Sequence, residues 1–429
     1  MTERVIEVNE LARVEGEGAL YVRLNGRQVE RVEFKIHEPP RFFEALLRGR
    51  DAMEVPDITS RICGICPIAY IMSSSQAVED ATGVAVTPDI HALRRMLYCG
   101  EWIQSHVLHA AMLHAPDFLN LHDAIAIAQV NPDLVKKALR LKKAGNMLME
   151  VIGGRAVHPV NTRVGGFYKA PSRQAIAAMI PELDWGAQAA REVALAFAGF
   201  TFPQDETDYI FVSLIHDTLY PICEGRIGSN RGLDIPASGF NDHFVEEHVA
   251  RSNALQGRMR DGSPYLVGPL ARYANNYHLL SEAARQTARD CGLGEVERNP
   301  YKSILVRMVE VQYAFEEAAR LARAYQEPSP AFIEIPHRAG VGHACTEAPR
   351  GICYHRYEVD AQRRVVMAQI VPPTSQNQPQ IEADLARVVA ANLDMDDAAL
   401  QWRCEQTIRN YDPCISCATH FLKLTVERV

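Results

Sequence analysis

The stretch RICGIC, residues 61–66, is matched near the other end of the chain by DPCISCATH, residues 412–420. A Cys-x-x-Cys turn aims two sulfurs at one point, and two such turns make a four-thiolate site, which selects zinc, iron–sulfur clusters, copper(I) or nickel over magnesium or calcium. Zinc ribbons place their two pairs about 15–20 residues apart, whereas most of the 429 residues lie between these two. We therefore expect one large fold that brings the two ends of the chain together.

A single Cys-x-x-Cys pair has other interpretations, namely a redox disulfide or half of a structural zinc site. The polar residues that flank both pairs, Arg61 and Asp412 among them, favour a metal centre. The six other cysteines have no paired spacing, so we expect them to be buried as small apolar side chains in a reducing compartment rather than joined in disulfides. They are Cys99, Cys223, Cys291, Cys345, Cys353 and Cys404.

The composition argues against several classes of protein. The net charge is −8 and the basic residues are dispersed, which argues against a nucleic-acid partner. No stretch approaches the roughly 18 uninterrupted apolar residues of a membrane span, and residues 1–5 show no basic-then-apolar leader, so we expect a cytoplasmic protein. No flexible linker, repeat or low-complexity run interrupts the chain, which predicts a single domain over residues 1–429.

The pattern of apolar residues predicts a mainly α fold with a smaller α+β part, in which long central helices accompany an N-terminal β-sheet region. The predicted strands are 4–8, 19–24 and 29–36 with a hairpin turn at Asn25-Gly26, and the predicted long helices are 88 to about 114, 132–153 and 303 to about 324. We expect irregular, glycine-rich segments at 339–351 and 371–378. Functional residues tend to concentrate in such segments.

Both cysteine motifs resemble the signature motifs of nickel–iron hydrogenase large subunits, and supporting segments resemble that family in the same order along almost the whole chain. These segments are RVEGE (13–17), RFFE (41–44) with Gly49-Arg50, GGR (153–155) with His158-Pro159, EAPRG (347–351) and Pro373-Thr374. The resemblance implies the fold of that family and its activity, the reversible heterolytic cleavage of H2 into protons and electrons.

The resemblance also implies a metal centre and its ligands. In the family, four cysteines hold a nickel and an iron that carries cyanide and carbon monoxide. By position, Cys63 and Cys414 would be terminal nickel thiolates, while Cys66 and Cys417 would bridge nickel to iron. A terminal thiolate, here Cys414, would accept the proton first, and Glu15 matches the carboxylate that passes the proton on.

Further residues match groups that surround the metals in the family. Arg350 resembles the arginine whose guanidinium lies over the iron's diatomic ligands, where a fixed, charged donor fork suits cyanide nitrogen. Pro349 is its neighbour in the same motif, and Thr374 matches a second donor to cyanide.

A magnesium-type ion behind the active site is implied in the same way. Glu44 and His420 match two of its side-chain ligands, and the backbone carbonyl of Ile370 matches a third.

Two positions depart from the usual pattern of the family. Tyr70 stands where many members have histidine, and Ser105 occupies a position that is often aspartate. The hydrogen bonds that the family makes around the bridging sulfur are therefore not carried over to this chain. With residues 154–160 and Gly165-Gly166, these departures resemble the soluble cytosolic group, whose members exchange electrons with NAD(P) or sulfur through partner subunits.

The expected partners follow from electron transfer. All paired cysteines belong to the active site, so an iron–sulfur small subunit has to carry the electrons away. No Gly-x-Gly-x-x-Gly motif follows a strand, which places nicotinamide binding in flavin-bearing diaphorase subunits. A sulfur- or polysulfide-reducing enzyme is the alternative, as are a non-catalytic complex I-like subunit, which shares the fold but lacks the four cysteines, and a structural zinc protein.

Residues 421–429 follow the motif histidine. In the family a dedicated protease removes a short C-terminal extension after nickel-insertion proteins have loaded the metal, so the resemblance predicts a mature chain that ends at His420. Apolar Leu422, Leu424 and Val426 alternate with polar residues, which leaves the alternative of an ordinary C-terminal strand that is never processed.

Overall fold

The computed structural model describes residues 3–419, so His420 and the predicted extension 421–429 lie outside the described part. The strands are β1 Glu3–Val8, β2 Gly18–Asn25, β3 Gln28–Ile36, β4 Thr162–Arg163, β5 Gly166–Phe167, β6 Val212–Ile215, β7 Arg226–Ser229, β8 Asp234–Ile235, β9 Phe244–His248, β10 Leu255–Met259, β11 Gly340–Ala348, β12 Gly351–Val359 and β13 Val365–Val371. The α-helices are α1 Phe43–Leu47, α2 Val55–Ser60, α3 Pro67–Thr82, α4 Pro88–Val107, α5 Ala115–Leu119, α6 Ala124–Val130, α7 Pro132–Gly153, α8 Arg173–Ala177, α9 Ile180–Ala198, α10 Phe240–His243, α11 Pro269–Asn276, α12 Glu282–Asp290, α13 Ser303–Ala324, α14 Pro373–Ala391, α15 Asp397–Arg409 and α16 Ile415–Ala418. Within residues 3–419, every helix is too short or too polar to span a bilayer.

Four long helices, α4, α7, α9 and α13, form the centre of the molecule, with α4 packed on α7 and α13, and α13 packed on α9. The Thr87 hydroxyl accepts a hydrogen bond from the Ile90 amide at 3.4 Å and caps α4. A π-helical segment continues α4 to His114. The crossing of α4 and α7 needs glycine on both helices, because a Cβ on Gly100 would lie 2.9 Å from the Gly145 carbonyl oxygen. The three predicted long helices are confirmed.

The predicted N-terminal sheet is also confirmed, as the antiparallel order β1-β2-β3. Its hairpin turn lies one residue further along than predicted. Asn25 still pairs with Gln28, so the two-residue turn is Gly26-Arg27. Gly26 has a φ of +60°, a conformation that glycine adopts without strain.

The segments predicted to be irregular are regular instead. Residues 340–348 form β11, which pairs with β12 and packs on α3. A Cβ on Gly342 would lie 1.9 Å from the Ala77 carbonyl oxygen, so the glycines there permit a close approach of strand to helix. Residues 371–378 are the end of β13 and the start of α14, where Gln376 and Asn377 are buried and hydrogen-bonded. The glycine and polar residues of these segments therefore serve tight packing, and the prediction that the segments are irregular was wrong.

The two ends of the chain meet as expected. The amide of Ile415 donates to the carbonyl oxygen of Glu15 at 2.9 Å. The guanidinium of Arg41 donates to the carbonyl oxygen of Ile62 at 2.7 Å and also to that of Ser416. Arg41 therefore joins the backbone before the first cysteine pair to the backbone inside the second.

Candidate metal centre

The structure brings Cys63, Cys66, Cys414 and Cys417, the four-cysteine site, into one buried cluster. The sulfurs of Cys63 and Cys414 are 3.3 Å apart, those of Cys66 and Cys417 3.5 Å, and those of Cys414 and Cys417 2.9 Å. All four sulfurs lie within 4.8 Å of one another. Because a metal–sulfur bond is about 2.3 Å long, sulfurs this close together could hold a metal ion. The donor set fits a soft, thiolate-bound centre.

The remaining cysteines behave as the sequence predicts. All ten cysteines lie in the described part of the chain, and each is buried and outside any disulfide. Over residues 3–419, the four-cysteine site is also the only group of histidine, cysteine and acidic side chains close enough together to hold a metal ion.

Helix α3 and a buried glutamate fix the first cysteine pair. Cys66 precedes α3, whose N-terminal dipole favours a thiolate. The carboxylate of Glu101 accepts hydrogen bonds from the amides of Ile68 at 2.5 Å and Ala69 at 3.1 Å. Sequence analysis missed Glu101, and the available signal was an acidic residue on a helix that is otherwise apolar on most faces.

The cationic side of the site is formed by Arg350, which is only 3 % exposed. Its guanidinium donates to the backbone oxygen of Asp412 at 2.7 Å and to the carboxylate of Asp412 at 2.9 Å, and reaches the Ser105 hydroxyl at 3.3 Å. Hydrogen bonds from the other thiols, that of Cys414 first, together with the charge of Arg350, hold the pKa of Cys63 well below its ordinary value. The charge of Arg350 thus favours the thiolate form of Cys63.

A second arginine, which sequence analysis also missed, holds the Arg350 loop from behind. Arg272 is fully buried and donates to the carbonyl oxygens of Ala348 at 2.7 Å and Pro349 at 2.9 Å. Pro349 is therefore fixed through its backbone.

Thr374 lies beside the second cysteine pair. It accepts a hydrogen bond from the Cys414 amide at 3.0 Å, which leaves its own hydroxyl proton free to be donated.

Glu15 lies beside the second cysteine pair. One of its carboxylate oxygens accepts a hydrogen bond from the Ser416 amide at 3.1 Å, and the side chain is only partly buried. The Glu15 carboxylate therefore lies against the backbone between Cys414 and Cys417 and is partly open to solvent.

The carboxylate of Glu44 accepts a hydrogen bond from the amide of Ile370 at 2.8 Å, so these two predicted ligands are neighbours. Burial raises the pKa of Glu44 to about 7. Burial, and then the charge of Glu44, raise the pKa of Glu246 to about 8. Two adjacent acids of this kind suit a hard divalent cation, whose ligands are oxygen atoms. The third predicted ligand, His420, lies outside the described residues.

The two departures from the family pattern both lie at the centre. Ser105 is buried against Arg350, as described above. Tyr70 is buried, and its hydroxyl has no hydrogen-bond partner within the described residues.

Comparisons with known proteins agree with this geometry. The family model of nickel-dependent hydrogenases matches residues 41–137 and 258–420. Sulfhydrogenase 1 subunit alpha of Pyrococcus furiosus is 31 % identical over 434 residues, covering 98 % of each chain. The NAD-reducing hydrogenase HoxS subunit beta of Cupriavidus necator is 24 % identical, covering 98 % of this chain and 95 % of its own. A crystal structure of an NAD⁺-reducing [NiFe]-hydrogenase in the H2-reduced state has a TM-score of 0.86 and 24 % identity, covering 97 % of this chain and 99 % of that chain. Four cysteines gathered from the two ends of one fold, together with these matches, place the chain in the nickel-dependent hydrogenase family.

Proposed function

We propose that this hydrogenase chain cleaves H2 at the four-cysteine site, which holds a nickel and an iron carrying cyanide and carbon monoxide. The observation that carries the proposal is the buried set of four cysteine sulfurs within 4.8 Å of one another. The bound metals supply the Lewis acid that polarises H2 and the redox capacity that accepts its electrons. The four cysteines also argue against a non-catalytic relative of the same fold.

Protein groups next to the sulfurs handle the proton. The thiolate of Cys414 accepts the proton, and Glu15 carries it away from the site. The support is spatial: the backbone of Glu15 bonds the residue after Cys414, and its carboxylate is held by the Ser416 amide. A positioned proton-transfer group of this kind contributes about 10²–10⁴-fold to a rate.

Arg350, Pro349 and Thr374 would hold the diatomic ligands of the iron. In support, Arg350 is locked by two hydrogen bonds to Asp412, so its position is set before any ligand binds. Preorganised donors of this kind stabilise developing charge without a cost of reorganisation.

A divalent ion of the magnesium type is held by Glu44, the carbonyl oxygen of Ile370, and His420. The contact between Glu44 and Ile370, and the acidic neighbour Glu246, support this site.

Electrons leave at the first cysteine pair, towards an iron–sulfur small subunit. Gly64, between the two buried cysteines of that pair, is exposed. Nearby side chains form an apolar surface, with Leu46, Val157, Val160 and Tyr168 between 48 % and 61 % exposed, beside a cleft of about 540 Å³. Exposed apolar patches of this kind mark protein interfaces.

The likeness to the NAD-reducing HoxS subunit beta supports NAD(P) as the final acceptor, reached through diaphorase subunits that carry flavin. The likeness to sulfhydrogenase 1 subunit alpha supports sulfur or polysulfide as the alternative acceptor. We also propose a cytoplasmic location, because ten buried cysteines outside any disulfide fit a reducing compartment. Purified complex supplied with H2 and offered NAD⁺, NADP⁺ or polysulfide distinguishes the acceptors by which one is reduced.

We also propose that residues 421–429 are removed from one continuous domain once nickel is loaded. The support is the resemblance of the final motif, which ends at His420. Mass spectrometry of active enzyme decides this, since full activity from a chain that still ends at Val429 contradicts processing.

Substitution of the cysteines tests the central proposal. Cys66→Ser should abolish H2 uptake and lose or scramble the metals, whereas Cys223→Ser, at a buried cysteine outside the site, should leave both nearly unchanged. Elemental analysis should find nickel and iron near one each in the wild type, and infrared bands of cyanide and carbon monoxide should be visible. Zinc in place of nickel, or full H2 uptake by Cys66→Ser with normal nickel, would refute the assignment.

Glu15→Gln tests the proton route, because the amide keeps the shape of the side chain but cannot carry a proton. It should block exchange of deuterium gas with solvent protons while the metal spectra stay intact. An unchanged exchange rate would show that the proton leaves elsewhere.

Val160→Asp tests the electron exit by placing a charge on the apolar surface. It should weaken co-purification of the small subunit, while the control Ile125→Asp, at a side chain 71 % exposed, should not. Equal co-purification of both variants would place the partner elsewhere.

A further inference from the structure

A second carboxylate, that of Glu38, lies close to Glu15 on the far side of Ser416. The hydroxyl of Ser416 donates to Glu38 Oε2 at 2.9 Å, while the amide of Ser416 donates to Glu15 Oε2 at 3.1 Å. Ser416, which stands between Cys414 and Cys417 in the chain, therefore contacts both acids.

The backbone at Gly16 brings the two acids together. Gly16 has a φ of +86°, and a Cβ there would lie 2.5 Å from Glu38 Oε2 and 3.1 Å from the Ser416 amide nitrogen. The carboxylate of Glu38 thus occupies the space that a side chain at Gly16 would need. The two carboxylates are within about 9 Å of each other, a gap that the Ser416 hydroxyl and one water molecule span at ordinary hydrogen-bond lengths.

Glu38 also provides a way out to solvent. Its side chain is 16 % exposed, and Gly16 and His37 beside it are exposed. The other charged group against it is Arg41, whose Nε lies 3.9 Å from Glu38 Oε1 and whose guanidinium is itself fixed by the Ile62 carbonyl oxygen. The carboxylate is therefore held in place without being sealed from water.

We propose that Glu38 is the second carboxylate of the proton route, which leads from Glu15 through the Ser416 hydroxyl to Glu38 and then to solvent. Glu15 gives its proton to Ser416 Oγ, directly or through one water molecule, while Ser416 gives its own hydroxyl proton to Glu38 Oε2. One O–H bond breaks for each one that forms, so Glu15 ends ionised, Ser416 ends neutral and Glu38 ends protonated until water takes the proton. The route rests on the proposed role of Glu15.

The test uses the metal-loaded complex and two readouts that separate cleavage of H2 from escape of its proton. Conversion of para-hydrogen to ortho-hydrogen reports cleavage, and exchange of deuterium gas with solvent protons reports escape. Glu38→Gln should keep the conversion rate and the infrared spectrum of the metals but slow the exchange by about 10²-fold, the lower end for a positioned proton carrier. Ser416→Ala, which keeps the amide bond to Glu15, should slow exchange in the same way. Glu17→Gln removes an exposed acid from the same loop and should match the wild type.

The outcomes distinguish this route from the function on which it rests. Wild-type exchange in Glu38→Gln, with exchange blocked in Glu15→Gln, overturns the role of Glu38 alone. Wild-type exchange in both variants overturns the role of Glu15 as well, and absence of para-hydrogen conversion in the wild type overturns the hydrogenase site itself. If Glu38→Gln loses its metals, Ser416→Ala decides, because normal exchange in that variant overturns the route.

Discussion

Replacing Arg272 with methionine removes the positive charge from the middle of a fully buried ionic cluster. Arg272 donates two hydrogen bonds of 2.9 Å to Glu310 and one of 2.7 Å to Glu347. Methionine fills much of the same volume but leaves both carboxylates without their cation. Since all three side chains are fully buried, we expect a large loss of stability.

The pKa of Glu310 gives the size of the effect. Burial raises this pKa, but the charge and hydrogen bonds of Arg272, followed by those of His106, lower it from its ordinary value of 4.5 to about 2. A carboxylate with a depressed pKa stabilises the folded state above its unfolded pKa, and that stability is lost as pH falls towards the folded pKa. The net shift corresponds to about 3 kcal/mol at neutral pH. Removing one partner of a buried ion pair costs about 3–5 kcal/mol in other proteins, which agrees.

Thermal unfolding followed by circular dichroism measures this loss. At roughly 2 °C per kcal/mol for a large chain, Arg272→Met should lower the midpoint by about 6–10 °C. The matched control is Arg226→Met, because Arg226 also pairs with two carboxylates, those of Asp217 and Asp234, but is 44 % exposed. It should lower the midpoint far less, because solvent screens an exposed ion pair. Equal shifts in the two variants would refute the argument from burial.

Arg272→Met should also lose activity, because the hydrogen bonds from Arg272 to the backbone of Ala348 and Pro349 set the position of Arg350. The activity per nickel, measured well below the melting range, separates this effect from unfolding. An unchanged value would show that the loop holds its position without Arg272.

Three further predictions test other parts of the structure. Arg350→Lys should lower turnover by about 10²-fold with normal nickel and iron content, because a point charge cannot reproduce the donor fork; wild-type turnover would contradict this. Gly342→Ala would place a methyl group 1.9 Å from the Ala77 carbonyl oxygen and should lower the melting temperature sharply, whereas Gly294→Ala, where the nearest atom is 3.5 Å away, should not. Glu44→Gln should lower magnesium content by elemental analysis while leaving nickel and iron in place, and an unchanged magnesium content would exclude Glu44 as a ligand.

Features encoded by local periodicity could be predicted from the sequence. Proline at the first turn of α4, α7 and α14 accompanies three helix starts, and two of these starts, at Pro88 and Pro132, were predicted. The spacing of the cysteines alone predicted the four-cysteine site, since each Cys-x-x-Cys turn aims its own two sulfurs at one point. The prediction for the segments 339–351 and 371–378 was wrong because their structure depends on distant contacts rather than on local pattern. Their glycine and amide residues serve contacts with distant helices and strands, and a local pattern does not distinguish such contacts from a loop.

The buried ionisable side chains show the same limit more clearly. Glu101 and Arg272 are indistinguishable in sequence from ordinary exposed residues on helices. What makes them tolerable inside the protein is a partner elsewhere: the amides at the start of α3 for Glu101, and Glu310 and Glu347 for Arg272. A buried polar or ionisable side chain is stable only when it has a hydrogen-bond or charge partner, so its location depends on the tertiary fold and cannot be read from its neighbours in the chain.

Under the proposed proton and electron routes, the use of both chain ends also separates the two products of the reaction. The proposed proton route, Glu15 and Glu38, lies against the turn between Cys414 and Cys417, where Ser416 bonds both acids. The proposed electron exit lies at the other turn, where Gly64 reaches the surface. A zinc-ribbon arrangement, with both turns on one small knuckle, would give each product the same short path outward. By drawing its two cysteine pairs from opposite ends of the chain, the fold gives protons and electrons different surroundings, carboxylates and hydroxyl on one side and an apolar docking surface on the other.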